Sequence, residues 1–332
     1  MKKKILVNLI YILPVPIMLV SLFMGPSQHA GLGDLVRYLF NSGPLENERL
    51  VWTIFFNVRM PRVLLVFLVG GVLAISGAAL QAVFRNPLVS PYILGLSSGA
   101  AFGAALAMAI AVPFWPIPLS AFVFGLLAVI ISYFMALKNK TLSVVSLILA
   151  GIIVNGIFTA LLTIVQYLSD PFKLQSIVQW TMGNFQNASW QQLGETSIPM
   201  LGSVFVLLLM RWRLNVIALG DDEARSVGIN PQREKSIILF LVSLSVSAAV
   251  AVSGIIALYG LIVPHIIRMA AGVDNRKALP LNFLFGGAFL LLIDNISRSM
   301  MDMEIPIGIF TMLLGAPIFI YLMKKTNIGW ER

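Results

Sequence analysis

No cysteine occurs in the 332 residues, so disulfides and thiolate metal sites are excluded. Histidine occurs only as His29 and His265, which leaves no histidine-rich metal site. Charge is scarce as well: 11% of residues are charged, while 58% are hydrophobic. A soluble domain of this length needs far more charge to cover its surface. Sequence signatures of chemistry are missing too. There is no G-x-x-x-x-G-K-[ST] to cradle phosphates and no H-E-x-x-H. The net charge of +9 does not point to nucleic acid, because the basic residues flank apolar runs and form no single stripe.

What is present is apolar length. Runs long enough to cross a bilayer recur from end to end, and this predicts an all-α, polytopic membrane protein. Ten helices are expected: Ile5–Met24, Arg62–Ala82, Tyr92–Val112, Ile117–Leu137, Leu142–Leu168, Gln192–Met210, Ser236–Ala257, Gly260–Ala271, Leu281–Met300 and Ile307–Met323. The first has a basic start like a signal peptide. It is long, holds Pro14 and Pro16 and lacks an A-x-A-like site, so it reads as a retained helix. Ten crossings put both termini on one side. Sorting the 23 basic residues by side gives 17 against six, and the positive-inside rule makes the richer side, with both termini, cytoplasmic. Of the two long outer connections, 25–60 is expected to hold a short helix near Asp34–Phe40. The other, 169–191, carries Trp180 and Trp190, which suit an interface. The whole of 1–332 reads as one membrane domain. Ser76-Gly77 before Pro87 echoes Ser253-Gly254 before Pro264. An inverted repeat of helices two to five and seven to ten is one reading. Chance similarity of apolar sequence is the other.

One segment breaks the apolar pattern. Arg211–Lys235 holds nine of the 37 charged residues and falls on the cytoplasmic side. Within it, Asp221, Asp222 and Glu223 follow Gly220 and suit the first turn of a short helix. Gly228 suits a left-handed stop, and Pro231 prevents continuation. Ala224 and Val227 form a small apolar edge. A short capped helix at the membrane face suits a groove on a partner. A solvated connector is the plainer alternative, and Arg211, Arg213, Arg233 and Lys235 read as ordinary anchors.

Other residues carry two readings each. Gly95, Gly99 and Gly103 recur every four residues, for close helix packing or for the wall of a moving pathway. Arg59 and Arg62 share a helical face at an outer mouth, with Arg298 on the same side. Arginines there pair bidentately with carboxylates of an acidic partner, or act as interfacial anchors. Asp294, four residues before Arg298, offers an internal ion pair that competes with the partner. His265 reads as a packed histidine at a helix break.

Four stretches together carry a family likeness: RMPRVLLVFLVGGVLAISGAALQAVFRNPLVSPYILGLSSGA, ALGDDEARSVGI, GLIVPHIIRMAAG and EIPIGIFTMLLGAPIF. From about Arg59 onward the chain resembles the permease subunits of iron–siderophore, haem and vitamin B12 importers, the ten-helix type of ATP-binding-cassette importer. The resemblance implies a homodimeric permease, two cytoplasmic ATPase subunits that hold ATP and Mg, and an extracytoplasmic binding protein. It implies no cofactor on this chain and a place in the cell membrane. The family's coupling helix matches Leu219, Gly220, Asp221, Asp222, Glu223, Ala224, Arg225, Val227 and Gly228. Its docking arginines match Arg59, Arg62 and Arg298. Its cytoplasmic gate matches Asn86, Leu88, Ser143 and Val144, where family members can carry a hydroxyl in place of Val144. The implied cargo is a metal chelate or metal-containing cofactor, siderophore iron first, then haem, cobalamin, molybdate or tungstate. An ion-coupled secondary carrier and a polytopic membrane enzyme are the competing classes. Thin supplies of intramembrane carboxylates and of clustered polar groups speak against them.

Overall fold

One helix runs through the middle of the molecule, with the rest arranged around it. The computed structural model describes residues 2–25, 48–110, 116–138, 141–300 and 303–325. In chain order come α1 (Lys2–Ile12), α2 (Pro14–Ser21) and α3 (Glu48–Trp52), which passes through a π-helical turn at Thr53–Arg59 into α4 (Met60–Phe84). A 3-10 turn at Pro91–Leu94 leads to α5 (Leu96–Ile110) and α6 (Ile117–Ala136). Two antiparallel two-residue strands, Leu137–Lys138 and Thr141–Leu142, precede α7 (Val144–Leu168). There follow α8 (Pro171–Thr181), α9 (Trp190–Leu209), α10 (Arg211–Leu219), α11 (Asp221–Ser226) and α12 (Pro231–Ser253). The last three are α13 (Tyr259–Ala271), α14 (Asn275–Ser299) and α15 (Ile307–Lys325).

Among the described residues, six helices are long and apolar enough to cross a membrane, and four shorter apolar helices accompany them. Each of the ten expected segments overlaps one of these. The central helix, Leu50–Phe84, has 89% of its most apolar stretch buried inside the protein. Small residues allow this. A Cβ at Gly70 would lie 2.5 Å from the carbonyl oxygen of Gly286, and one at Gly77 would overlap the carbonyl of Gly260. Backbones thus touch where lipid gives helices no hydrophobic drive to associate. The pair α5–α6 uses the same device. A Cβ at Gly99 or Gly103 would stand 2.5 Å from the carbonyl oxygen of Phe124 or Ser120.

Gly95 packs closely too, since a Cβ there would stand 3.0 Å from Val154 and 3.3 Å from the Asn155 amide nitrogen of α7, but it also has a backbone role. It has φ +80° and joins the 3-10 turn to α5, so the third helix starts at Leu96 and not at Tyr92. A left-handed residue at that junction is where glycine costs least.

Other boundaries shift for identifiable reasons. The first expected helix is interrupted at Leu13, because Pro14 and Pro16 lack the N–H groups that would continue its hydrogen bonds. Two helices start earlier than their apolar runs. Asn230 caps α12 by accepting from the Gln232 and Arg233 amides, and Asp274 caps α14 by accepting from Arg276. Capping chemistry lies in the polar flank, where hydropathy alone does not look. Pro231 therefore begins the next helix, besides ending the last. The outer connection expected at 169–191 holds α8, capped by Asp170. The two Ser-Gly pairs differ in local structure: Ser76-Gly77 lies inside α4, whereas Ser253-Gly254 ends α12 with Gly254 at φ +66°. The short helix expected near Asp34–Phe40 lies outside the described residues.

Candidate functional site

The charged island folds as two short helices packed on one end of the bundle. Leu214 and Ile217 of α10 are fully buried, and α10 lies against α4 and α14. Asn215 ties it down further. Its Nδ2 donates to Asp274 Oδ1 at 2.6 Å, and its Oδ1 accepts from the Asn275 amide at 2.8 Å. The chain then turns at Gly220 into α11, with Asp221, Asp222 and Glu223 in its first turn and Gly228 left-handed at φ +79° beyond its end. These are the expected features. The apolar edge is different. Ala224 faces inward and is fully buried, whereas Leu219 (71% exposed) and Val227 (55% exposed) face solvent.

The flanking cations are not all free anchors either. Lys235 is buried, and its Nζ donates to both carboxylate oxygens of Asp221, at 2.6 and 2.7 Å. Arg213 Nη1 donates to Glu234 Oε1 at 2.8 Å, bridging α10 and α12. Both pairs were missed in the sequence. The legible signal was scarcity: with 14 acids in the chain, a cation beside the membrane has few partners to choose from.

The opposite end of the bundle holds the three arginines, Arg59, Arg62 and Arg298, and all are buried. Asp294, fully buried on α14, sits between two of them. Arg62 Nε and Nη2 donate to its Oδ1 at 3.2 and 2.8 Å. Arg298 Nε lies 3.2 Å from its Oδ2, a contact of charges whose angle is too poor for a hydrogen bond. Arg62 Nη1 reaches Glu304 Oε1 at 2.7 Å. Arg298 Nη2 donates to the Ser21 carbonyl and Arg59 Nη1 to the Leu22 carbonyl, at 2.9 and 3.0 Å. Within one copy the three arginines are buried, and the Asp294–Arg298 pair forms. Burying charge is tolerable because opposite charges and carbonyls meet it. Glu304 was missed.

Comparison with known proteins identifies the architecture. Residues 12–325 match the FecCD transport family. The chain belongs to that family. It is 40% identical to the molybdate import permease MolB of Haemophilus influenzae over 86% of this chain and 85% of that one. Against the hemin transport permease HmuU of Yersinia pestis the identity is 38%, over 93% of each. A solved inward-facing structure assigned to the metal-chelate type of ABC transporter superposes with a TM-score of 0.86 at 36% identity, covering 97% of this chain and 99% of that one. This FecCD protein is accordingly a permease of the ABC-importer type, a multi-pass protein of the inner membrane.

The four residues expected at the permease's gate lie at the island end. Arg85 takes a left-handed conformation that stops α4. Asn86 Oδ1 then accepts from the Leu88 amide at 2.9 Å, leaving the Leu88 side chain exposed. Ser143 caps α7 by accepting from the Ser146 amide, and Val144 packs against the core. The segment before Ser143 is tied to the island by Gln232 Oε1, which accepts from the Leu142 amide at 2.9 Å. The bonds of Asn86 and Ser143 are local ones.

Proposed function

We propose that this permease imports a chelated metal or metal-containing cofactor, driven by two ATPase subunits that dock on Leu219–Gly228. One observation carries the reading. A short capped helix is fixed to the membrane body by a buried Lys235–Asp221 pair while it turns Leu219 and Val227 to solvent. A solvated connector has no need of such an anchor, whereas a part that transmits force does. ATP and Mg belong to the partner subunits in this reading, and no cofactor is held by this chain.

The basic-residue count supports a cytoplasmic island, and the arginine rim then faces an extracytoplasmic binding protein. A second copy of the chain is the natural partner for α7, which has only 22% of its most apolar stretch buried. Cargo passes between copies, with Asn86, Leu88, Ser143 and Val144 forming the cytoplasmic constriction. Closure of the ATPases moves α11, and with it α12, so that access alternates between two states biased by ligand. Relatives named for molybdate, iron chelatin, hemin and cobalamin support the cargo class, with siderophore iron the first choice here.

The test is a Leu219→Asp, Val227→Asp double variant. Both side chains face solvent, so the permease should elute as a single folded species. ATPase co-purification and uptake should both be lost. Undiminished ATPase binding would reject Leu219–Gly228 as the contact.

A further inference from the structure

At the arginine rim, the two carboxylates that meet Arg62 are not equivalent. Asp294 is fully buried and shared with Arg298. The Glu304 side chain keeps 23% of its surface exposed, and among the described residues its ion-pair partner is Arg62, at its Nη1. The Arg62 guanidinium is therefore divided: Nε and Nη2 serve the interior, and Nη1 points toward the outside edge. A carboxylate arriving from solvent can compete for Nη1 only, and it must displace Glu304 to do so.

Glu304 also stands at the head of a clasp. Directly after it, Ile305 exchanges two hydrogen bonds with Ser297: its amide donates to the Ser297 carbonyl, and its carbonyl accepts from the Ser297 hydroxyl. Ile307 and Gly308 then donate to the carbonyls of Gly183 and Met182, at 2.9 and 3.0 Å, just beyond the end of α8. The start of α15 is thus laced to the end of α8. The lacing begins at the Glu304–Arg62 contact.

We propose that Glu304 is a built-in occupant of the Arg62 docking position, exchanged for a carboxylate of the acidic partner when that partner binds. Exchange releases the 304–308 segment, which passes the event to α8 and α15. The partner it fits is an acidic protein surface on the outer side, and the proposal rests on the reading that such a surface docks at this rim.

The test uses the full permease in lipid nanodiscs, with a hexaglutamate peptide as probe and hexaglutamine as control. The chain has no cysteine, so a spin label can be placed at Met303→Cys alone, a position 81% exposed. With Glu304 in place, hexaglutamate should bind and increase label mobility, more weakly as salt rises. Glu304→Gln keeps the shape and removes the competing charge. It should bind hexaglutamate about tenfold more tightly, the scale of one hydrogen bond to a charged group. Its label should already be mobile without peptide. Equal affinity and equal mobility in the two forms would overturn the exchange and leave acidic docking standing. Failure of both forms to prefer hexaglutamate over hexaglutamine would overturn acidic docking and the exchange with it.

Discussion

Lys235 and Asp221 form a closed pair in which the ammonium is hidden and the carboxylate is not, with side chains 4% and 27% exposed. The asymmetry makes their single variants unequal. Asp221→Ala strands a buried ammonium and should cost about 3–5 kcal/mol. Lys235→Met leaves a carboxylate that water can reach, and should cost about 1 kcal/mol. Thermal unfolding of the two variants in one detergent checks the order. A Lys235→Met permease at least as unstable as Asp221→Ala would mean that the pair is more enclosed than its exposure indicates.

The rim obeys the same logic with the roles of charge reversed. Asp294→Asn leaves Arg62 and Arg298 buried without the carboxylate they share. A loss of about 3–5 kcal/mol is expected, seen as a lower unfolding midpoint and a lower folded yield. Glu304→Gln, at the exposed edge, should change stability by about 1 kcal/mol or less.

Glycine contacts predict a contrast between two identical substitutions. Gly77→Ala drives a methyl into the Gly260 carbonyl and should destabilise by about 1–3 kcal/mol through forced separation of α4 and α13. Gly156→Ala, in α7, meets nothing within 4 Å and should stabilise its helix by about 0.5–1 kcal/mol. Unfolding midpoints that move in the same direction for both would refute the close approach at Gly77.

Acid should loosen the island through Asp274. The Asn215 hydrogen bond, then that from the Arg276 amide, holds its carboxyl below the ordinary value of 3.8. The folded form therefore favours the charged state. Its contribution is present above the unfolded value and is lost as pH falls through the folded one. Asn215→Leu removes the bond that protonation would weaken, so the acid transition of the island should be lost. Fluorescence of Trp212, with the other tryptophans replaced by phenylalanine, would follow it. A transition at the same pH in both forms would deny Asn215 that role.

Apolar length made the segments legible, and six of the ten meet the bilayer's demand of about 20 apolar residues per crossing. The island helix was legible for a local reason: acids, glycine and proline each act within one turn. Long-range pairing was not. Nothing in the sequence around Arg62 points to Glu304, 242 positions away, and Lys235 read as a free anchor until Asp221 was found beside it. Ala224 and Val227, expected to share one edge, part for a related reason: the first is buried and the second exposed. On a helix of six residues, periodicity is too short to say which side meets the protein.

The contrast between the central helix and α7 bears on how the permease feels its bilayer. With 89% of its apolar stretch covered by protein, Leu50–Phe84 has little lipid to match, while α7, at 22%, is free to meet lipid or another chain. A change in hydrocarbon thickness is met by tilting and local bilayer strain at lipid-facing helices. Thickness should therefore act first on α7, and reach the rim arginines only through helices that have already shifted.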